Sequence, residues 1–257
     1  MASKNGKIIS VSSVKGGVGK TTMAINLAGV YYQEKKRVLL IDADFFGGGI
    51  STWLDSRNQK DIFMMMDSIS NHRYGSIRDY VVSYNHGIDV LASPKDPRNA
   101  MKMDCKYIPI IFEFAKREYD VVIVDTNHIM NEINLMILDH VDTTLFMITN
   151  DLLDLKNMKS FLSILKETGK SNYLVCLNQS RDTGKDYLSL FDIRNILKCN
   201  VDYTIPNSFY IKNIDKYVLD GEILTLNRKI QRFHSGDIDR IRMIARELIK
   251  EDSYEES

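Results

Sequence analysis

The fold of this chain is decided by one short stretch near the N-terminus, Lys15-Gly16-Gly17-Val18-Gly19-Lys20-Thr21-Thr22. A β-branched, apolar run at residues 7–13 precedes it, and residues 20–34 follow with apolar side chains at helical spacing. A strand, a glycine-rich turn and a helix in this order form a cradle for phosphate. Backbone N–H groups approach the phosphate oxygens there, and the helix N-terminus adds partial positive charge. The stretch therefore predicts a phosphate-binding loop.

Two side chains of this cradle predict a nucleotide bound together with Mg²⁺. Lys20 should reach the outer phosphates, and the hydroxyl of Thr21 should be a ligand of Mg²⁺. The general phosphate-loop pattern requires its first glycine where this chain has Val14, and it lacks a counterpart of Lys15 beside Gly16. A glycine-rich turn without a ligand is the alternative. The fixed order of lysines, glycines and threonines between a strand and a helix argues against it.

Short apolar runs alternate with amphipathic stretches along the rest of the chain. This alternation predicts one α/β P-loop NTPase domain over residues 1–250, with a mostly parallel sheet covered by helices on both faces. Residues 61–82 are predicted to form short helices, and residues 47–49 a loop. Residues 251–257 are expected to form an acidic, flexible tail.

Composition excludes some classes of protein. Lysine and arginine number 34, as do aspartate and glutamate, so the net charge is zero and binding of nucleic acid through overall charge gains no support. The three cysteines form no CxxC pair, which argues against a disulfide or zinc framework and fits a reducing compartment. Because no secretory signal and no apolar run of about 20 residues is present, we expect a cytoplasmic protein.

Acidic residues follow two of the predicted strands. Asp42 and Asp44 close the strand at 37–41, and Asp125 ends the strongly apolar run at 121–124. In parallel sheets ligands lie at the carboxyl ends of the strands, where carboxylates can neutralise phosphate charge and align a water. Asp125 can hold a Mg²⁺-bound water next to the cradle. Capping of the next turn or helix is the alternative for the other two acids.

Residues 13–28 resemble the opening of the ParA/MinD ATPases, and the resemblance continues weakly over nearly the whole chain. It implies ATP and Mg²⁺ as cofactors, slow hydrolysis, and an ATP-dependent homodimer that hydrolysis releases. In that family the residue matching Lys15 reaches across the dimer interface to the partner's ATP. By the same resemblance Lys20 contacts the phosphates, Asp44 orients the attacking water, and Asp42 belongs to the Mg²⁺ surroundings.

The resemblance also implies an adenine site. Residues 174–178 match the family strand whose terminal asparagine, here Asn178, hydrogen-bonds adenine, and an amide can do so because it is both donor and acceptor. Residues 204–206 match the strand end whose following loop packs on the base, which assigns Pro206 to that site. An Asx turn at Asn178 and a simple turn proline are the alternatives.

The segment after Asp125 departs from the family. The family usually continues with a proline and a nearby glycine, whereas this chain continues with Thr126, Asn127 and His128. A loop histidine is the simpler interpretation of His128, and a catalytic or pH-sensing element is the alternative. The departure also motivates a second class of function, a pseudo-ATPase that serves as a docking scaffold.

Three features bear on the branch of the family. The acidic end of the chain argues against autonomous membrane binding. Basic residues near the C-terminus make DNA binding possible without favouring it, because acids interrupt them; they are Arg228, Lys229, Arg232, Arg240, Arg242 and Arg246. Residues 90–97 and 190–197 resemble the CpaE/TadZ branch, which implies an ATPase that positions pilus or secretion machinery. A ParA-like partition ATPase and a MinD-like division-site ATPase are the alternatives, with a protein partner of unknown identity that could recruit the chain to a pole or membrane.

Overall fold

One twisted sheet forms the centre of the molecule. The computed structural model describes residues 5–55, 59–85, 87–180 and 188–250. In those ranges the strands are β1 (Lys7–Ser12), β2 (Val38–Ala43), β3 (Val82–Asn85), β4 (Ile88–Leu91), β5 (Val121–Thr126), β6 (Thr143–Ile148), β7 (Tyr173–Asn178) and β8 (Tyr203–Ile205). Their order in the sheet is β3-β4-β2-β5-β1-β6-β7-β8, and every neighbouring pair is parallel except β3 with β4. The predicted mostly parallel α/β fold is confirmed.

Helices cover both faces of this sheet. They are α1 (Lys20–Gln33), α2 (Gly49–Trp53), α3 (Ile62–Ser70), α4 (Pro97–Ala100), α5 (Ile108–Glu118), α6 (Glu132–His140), α7 (Leu152–Glu167), α8 (Leu190–Leu197), α9 (Ile214–Leu219), α10 (Arg228–Phe233) and α11 (Ser235–Leu248). On one face α1 and α11 pack over the central strands around Leu27 and Ile241. On the other face α3, α5 and α6 form a second apolar cluster, and α7 and α8 a third. Burial of these apolar side chains on both faces explains the β-branched, continuous character of the strands.

The structure differs from the local expectations at three points. The region predicted as short helices up to residue 82 ends in the antiparallel edge strand β3. Its side chains are only half buried because it pairs on one side alone, so no apolar run marks it. The loop expected at residues 47–49 leads directly into α2, whose N-terminal boundary, Gly48, has a φ of 58°. The short helix α10 was not predicted. The predicted acidic tail at 251–257 lies outside the described residues.

The sheet topology sets the position of the site. β2 to β5 lie on one side of β1 in the sheet, and β6 to β8 lie on its other side. The carboxyl end of β1 is therefore at a topological switch point. β5 lies between β1 and β2, and its Asp125 is in register with Asp42 of β2. No helix in the described ranges is long and apolar enough to cross a membrane.

Candidate functional site

The cradle begins where β1 ends and closes at the first residue of α1. Gly17 and Gly19 have φ angles of 75° and 100°, a backbone conformation that side chains other than glycine rarely adopt. No side chain caps the N-terminus of α1. The first N–H groups of a helix lack partners within the helix, so these groups remain directed toward the cradle. This arrangement is suited to binding phosphate.

Lys20 lies inside the cradle. Its side chain is almost fully buried, and its ammonium donates to Ser13 Oγ at 3.0 Å. The Ser13 hydroxyl in turn donates to the carbonyl oxygen of Lys15 at 2.7 Å. Burial lowers the pKa of Lys20, whereas the nearby carboxylates of Asp125 and Asp44 act in the opposite direction. The ammonium of Lys20 is therefore held against Ser13, at the start of the loop and near the acids that follow the strands.

The predicted acids Asp42 and Asp125 lie side by side beneath the cradle, and both are fully buried. Asp42 accepts hydrogen bonds from the backbone N–H groups of Asp44 at 3.2 Å and Ile50 at 3.1 Å. Burial, followed by repulsion from Asp125, raises the pKa of Asp42 to about 8. Its carboxyl group thus shapes the turn after β2, and any role around Mg²⁺ would be in addition to this structural one.

Asp125 and Thr21 provide oxygen atoms that fit a Mg²⁺ ion. The Thr21 hydroxyl donates to Asp125 Oδ2 at 2.6 Å, while Oδ1 is buried and has no hydrogen-bond partner. Burial raises the pKa of Asp125 to about 7, although Thr21 and Lys20 act to lower it. An orphaned buried oxygen is costly, and a cation would satisfy it. Within the described ranges no three His, Cys, Asp or Glu side chains form a metal cage. Mg²⁺ instead commonly uses one or two protein ligands together with phosphate oxygens.

Asp44 lies at the edge of the cradle, at the start of a tight turn. Its Oδ1 accepts from the N–H of Gly47 at 3.1 Å, and its carbonyl accepts from Gly48 at 2.8 Å. The capping role that was the alternative for this aspartate is therefore present. The carboxylate also acts electrostatically on Lys20, whose pKa it tends to raise.

Lys15 points away from its own cradle. Its ammonium lies 3.2 Å from Asp151 Oδ2, and the two side chains are 42% and 45% exposed. Asp151 caps the N-terminus of α7, where its side chain accepts from the backbone of Asp154. These contacts, first with Asp154 and then with Lys15, lower the pKa of Asp151. Sequence reasoning missed Asp151, although an aspartate three residues before another acid at a strand-to-helix transition indicates an N-cap.

Asn178 joins the cradle to β7. Its Nδ2 donates to the carbonyl of Val18 at 2.9 Å, and its Oδ1 accepts from the N–H of Ser180 at 3.1 Å. A carbonyl can only accept and an N–H can only donate, so these contacts fix the orientation of the amide. The Asx turn that was the alternative is present. One donor hydrogen and one acceptor lone pair of Asn178 remain unused by these bonds.

A cleft of about 550 Å³ opens beside the start of α1. It is lined by Thr22, Ser180, Phe209, Tyr210, Ile211, Asn213, Ile214, Asp215 and Leu224. Pro206 follows β8 and starts the turn that carries Phe209 and Tyr210 into this cleft. The predicted base-binding residues therefore flank the cleft rather than line it.

Comparison with known proteins agrees with this geometry. The sequence profile of the AAA domain family matches residues 6–177. An uncharacterized ATP-binding protein of Methanocaldococcus jannaschii is 24% identical over 207 residues, which are 80% of this chain and 76% of that protein. The next three curated relatives match over shorter stretches, and the chain spans only 14% to 43% of their length.

Two solved structures show the same fold. A ParA family ATPase from Chlorobium tepidum superposes with a TM-score of 0.79 at 20% identity, covering 95% of this chain and 98% of that one. The septum site-determining protein MinD from Pyrococcus horikoshii, complexed with Mg-ADP, gives a TM-score of 0.75 at 19% identity and covers 95% and 96%. The chain belongs to the AAA domain family, and its fold is that of the ParA and MinD ATPases, as the resemblance of its opening residues predicts.

Proposed function

We propose that this protein is a molecular switch that binds ATP with Mg²⁺, dimerises in that state and hydrolyses ATP slowly. The observation that supports the proposal is that the two lysines of the cradle have different surroundings. The ammonium of Lys20 is buried inside the cradle, whereas the side chain of Lys15 is half exposed and pairs with the half-exposed Asp151. Because such surface pairs contribute about 0–1 kcal/mol, Lys15 can leave Asp151 for a partner's nucleotide at little cost.

The position of the nucleotide follows from the two ends of the site. Lys20 marks the outer phosphates, and the cleft beside Thr22 is the space for a base. The amide of Asn178 retains one donor hydrogen and one acceptor lone pair, and the edge of adenine requires one of each for its N7 acceptor and its N6 donor. Guanine presents two acceptors at the corresponding positions. This contrast supports ATP as the ligand.

The remaining side chains would have different roles in hydrolysis. Thr21 and Asp125 would hold Mg²⁺, which when bound would neutralise part of the phosphate charge. Asp44, at the edge of the cradle, would orient the attacking water. Phosphoryl transfer depends mainly on such positioning and charge stabilisation. Asp42 supports this arrangement by fixing the turn that carries Asp44.

The oligomeric state tests the proposal. In analytical ultracentrifugation with ATP and Mg²⁺, we expect the Asp44→Ala variant to accumulate as a dimer because turnover is slowed. Adding Lys15→Ala should return it to a monomer. Lys166→Ala, which removes an exposed lysine at the far end of α7, is the matched control and should dimerise normally. Persistent monomer at high protein concentration would contradict the proposal, as would dimerisation without Lys15.

For the cellular role we propose the positioning of pilus or secretion machinery. The support is the likeness of residues 90–97 and 190–197 to the CpaE/TadZ branch. The second segment forms α8, where Phe191 is 73% exposed and accessible to a protein partner. ParA-like partition and MinD-like division-site placement remain alternatives. Partition through DNA predicts affinity that falls steeply with salt, so the absence of a duplex DNA shift at low salt would remove it.

A docking scaffold without turnover is the competing class of function. It rests on the atypical segment after Asp125. Steady-state phosphate release separates the two, because the switch predicts turnover that Lys20→Ala abolishes. Release at background level, with or without cell extract, would favour the scaffold.

A further inference from the structure

The segment that follows β5 is fixed from two sides. Thr126 Oγ1 donates to the carbonyl of Val11 in β1 at 3.1 Å. Asn127 Oδ1 accepts from the N–H of Ile129 at 2.8 Å and from Nδ2 of Asn134 at 2.7 Å. Asn134 is 1% exposed on α6, so this clamp is shielded from water. The loop between Thr126 and Ile129 is therefore held in one conformation relative to the cradle.

This clamp places His128 over the cradle. A Cβ built on Gly16 would lie 3.5 Å from both Nδ1 and Cε1 of the His128 ring, so the imidazole faces this glycine across an ordinary contact distance. The side chain is exposed. Within the described part of the chain no hydrogen bond uses either ring nitrogen, so both are available to a ligand.

Gly16 belongs to the end of the cradle that receives the outer phosphates. The Lys20 ammonium, which reaches the β- and γ-phosphates in such loops, lies against Ser13, and Ser13 is bonded to the carbonyl of Lys15. The base cleft lies at the opposite end, beside Thr22. His128 therefore lies at the end of the cradle where the outer phosphates would bind, and it is not among the residues that line the cleft for the base.

We propose that His128 contacts the terminal phosphate of the bound nucleotide and makes the site distinguish a triphosphate from a diphosphate. This inference rests on the proposed function, because it requires a nucleotide in the cradle. An imidazole N–H donates to a phosphate oxygen in a charge-assisted hydrogen bond, which is stronger than a neutral one. A diphosphate leaves the position opposite His128 empty and gains nothing from the ring.

Nucleotide affinity, measured by titration calorimetry with Mg²⁺, tests the inference without relying on turnover. His128→Ala should weaken binding of the non-hydrolysable triphosphate AMPPNP about tenfold, equivalent to about 1.4 kcal/mol. Binding of ADP should stay within about twofold. His128→Gln, which keeps a side-chain N–H, should restore most of the AMPPNP affinity. His140→Ala removes another exposed histidine, at the end of α6, and should change neither affinity.

Other outcomes separate this inference from the proposed function. Equal weakening of AMPPNP and ADP by His128→Ala, or no change in either, would overturn the phosphate contact. A glutamine variant as weak as the alanine variant would overturn the hydrogen bond. Lys20→Ala should lose both nucleotides. If it binds both as tightly as the parent protein, the proposed function fails, and the inference with it.

Discussion

The contact between Gly19 and Asn178 couples the phosphate cradle to the strand beside the base cleft, and Gly19→Ala should break it. A Cβ at Gly19 would lie 2.6 Å from Asn178 Nδ2, well inside contact distance. The amide would have to move, and it would then lose its 2.9 Å bond to the Val18 carbonyl. Gly17→Ala is a matched control, because Gly17 also has a positive φ but a Cβ there would meet nothing within 4 Å.

Two terms determine how much Gly19→Ala lowers the free energy of unfolding. A non-glycine residue in a left-handed conformation costs about 1–2 kcal/mol, which applies to both variants. Displacing the amide leaves a polar group of the loop without its partner and costs about 1–3 kcal/mol more. Gly19→Ala should therefore lower the free energy of unfolding by about 2–5 kcal/mol, and Gly17→Ala by about 1–2 kcal/mol.

Urea denaturation followed by fluorescence of the single tryptophan, Trp53, measures these differences. A double-mutant cycle compares the parent, Gly19→Ala, Asn178→Ala and the variant that carries both substitutions. Once the amide is gone, Gly19→Ala should cost no more than Gly17→Ala, which gives a coupling of about 1–3 kcal/mol. The reasoning is refuted if Gly19→Ala and Gly17→Ala are equally destabilising, or if the effects of Gly19→Ala and Asn178→Ala simply add.

Two further predictions concern the buried acids of the nucleotide-free protein, both measured by denaturation in EDTA. Because burial and Asp125 raise the pKa of Asp42 to about 8, the folded state retains a proton that the unfolded state loses near pH 4, so folding stability falls as pH rises through this window. The stability of Asp42→Asn relative to the parent should accordingly improve between pH 4 and 8 and level off above; a constant difference would contradict this. Thr21→Val should lower the free energy of unfolding by about 1–3 kcal/mol because it removes the hydrogen bond to Asp125 Oδ2 while Oδ1 is already unpaired. Thr22→Val should cost less, because the Thr22 hydroxyl makes no hydrogen bond within the described part of the chain.

The cradle and the strand ends could be predicted because local chemistry determines them. The order of glycines and lysines at 15–22 specifies a turn that only a few backbone conformations satisfy. Apolar, β-branched runs identify the buried strands, and parallel strands bring their carboxyl ends to one edge. The pairing of Asp42 with Asp125 was not predictable in this way, because it depends on β5 inserting between β1 and β2.

Contacts between distant segments account for what sequence reasoning missed. Asp151 meets Lys15 only because β6 is the neighbour of β1, and Asn134 reaches Asn127 only because α6 folds back under the loop. Neither residue belongs to a motif. The edge strand β3 was missed for a different reason, since a half-exposed strand of four residues has no strong periodicity.

The site differs from the rest of the fold in the kind of side chain that it buries. The core buries apolar side chains, whereas the site buries the carboxyl groups of Asp42 and Asp125 side by side and leaves one oxygen of Asp125 unpaired. Burial also lowers the pKa of the neighbouring Lys20, although the carboxylates of Asp125 and Asp44 act to raise it. Such an arrangement is unfavourable by itself and becomes favourable when a cation and phosphate complete it. The buried, partly unpaired acids would therefore be stabilised by the ligands that we propose, and the two lysines of the loop occupy different surroundings: Lys20 is buried against Ser13, whereas Lys15 is half exposed beside Asp151.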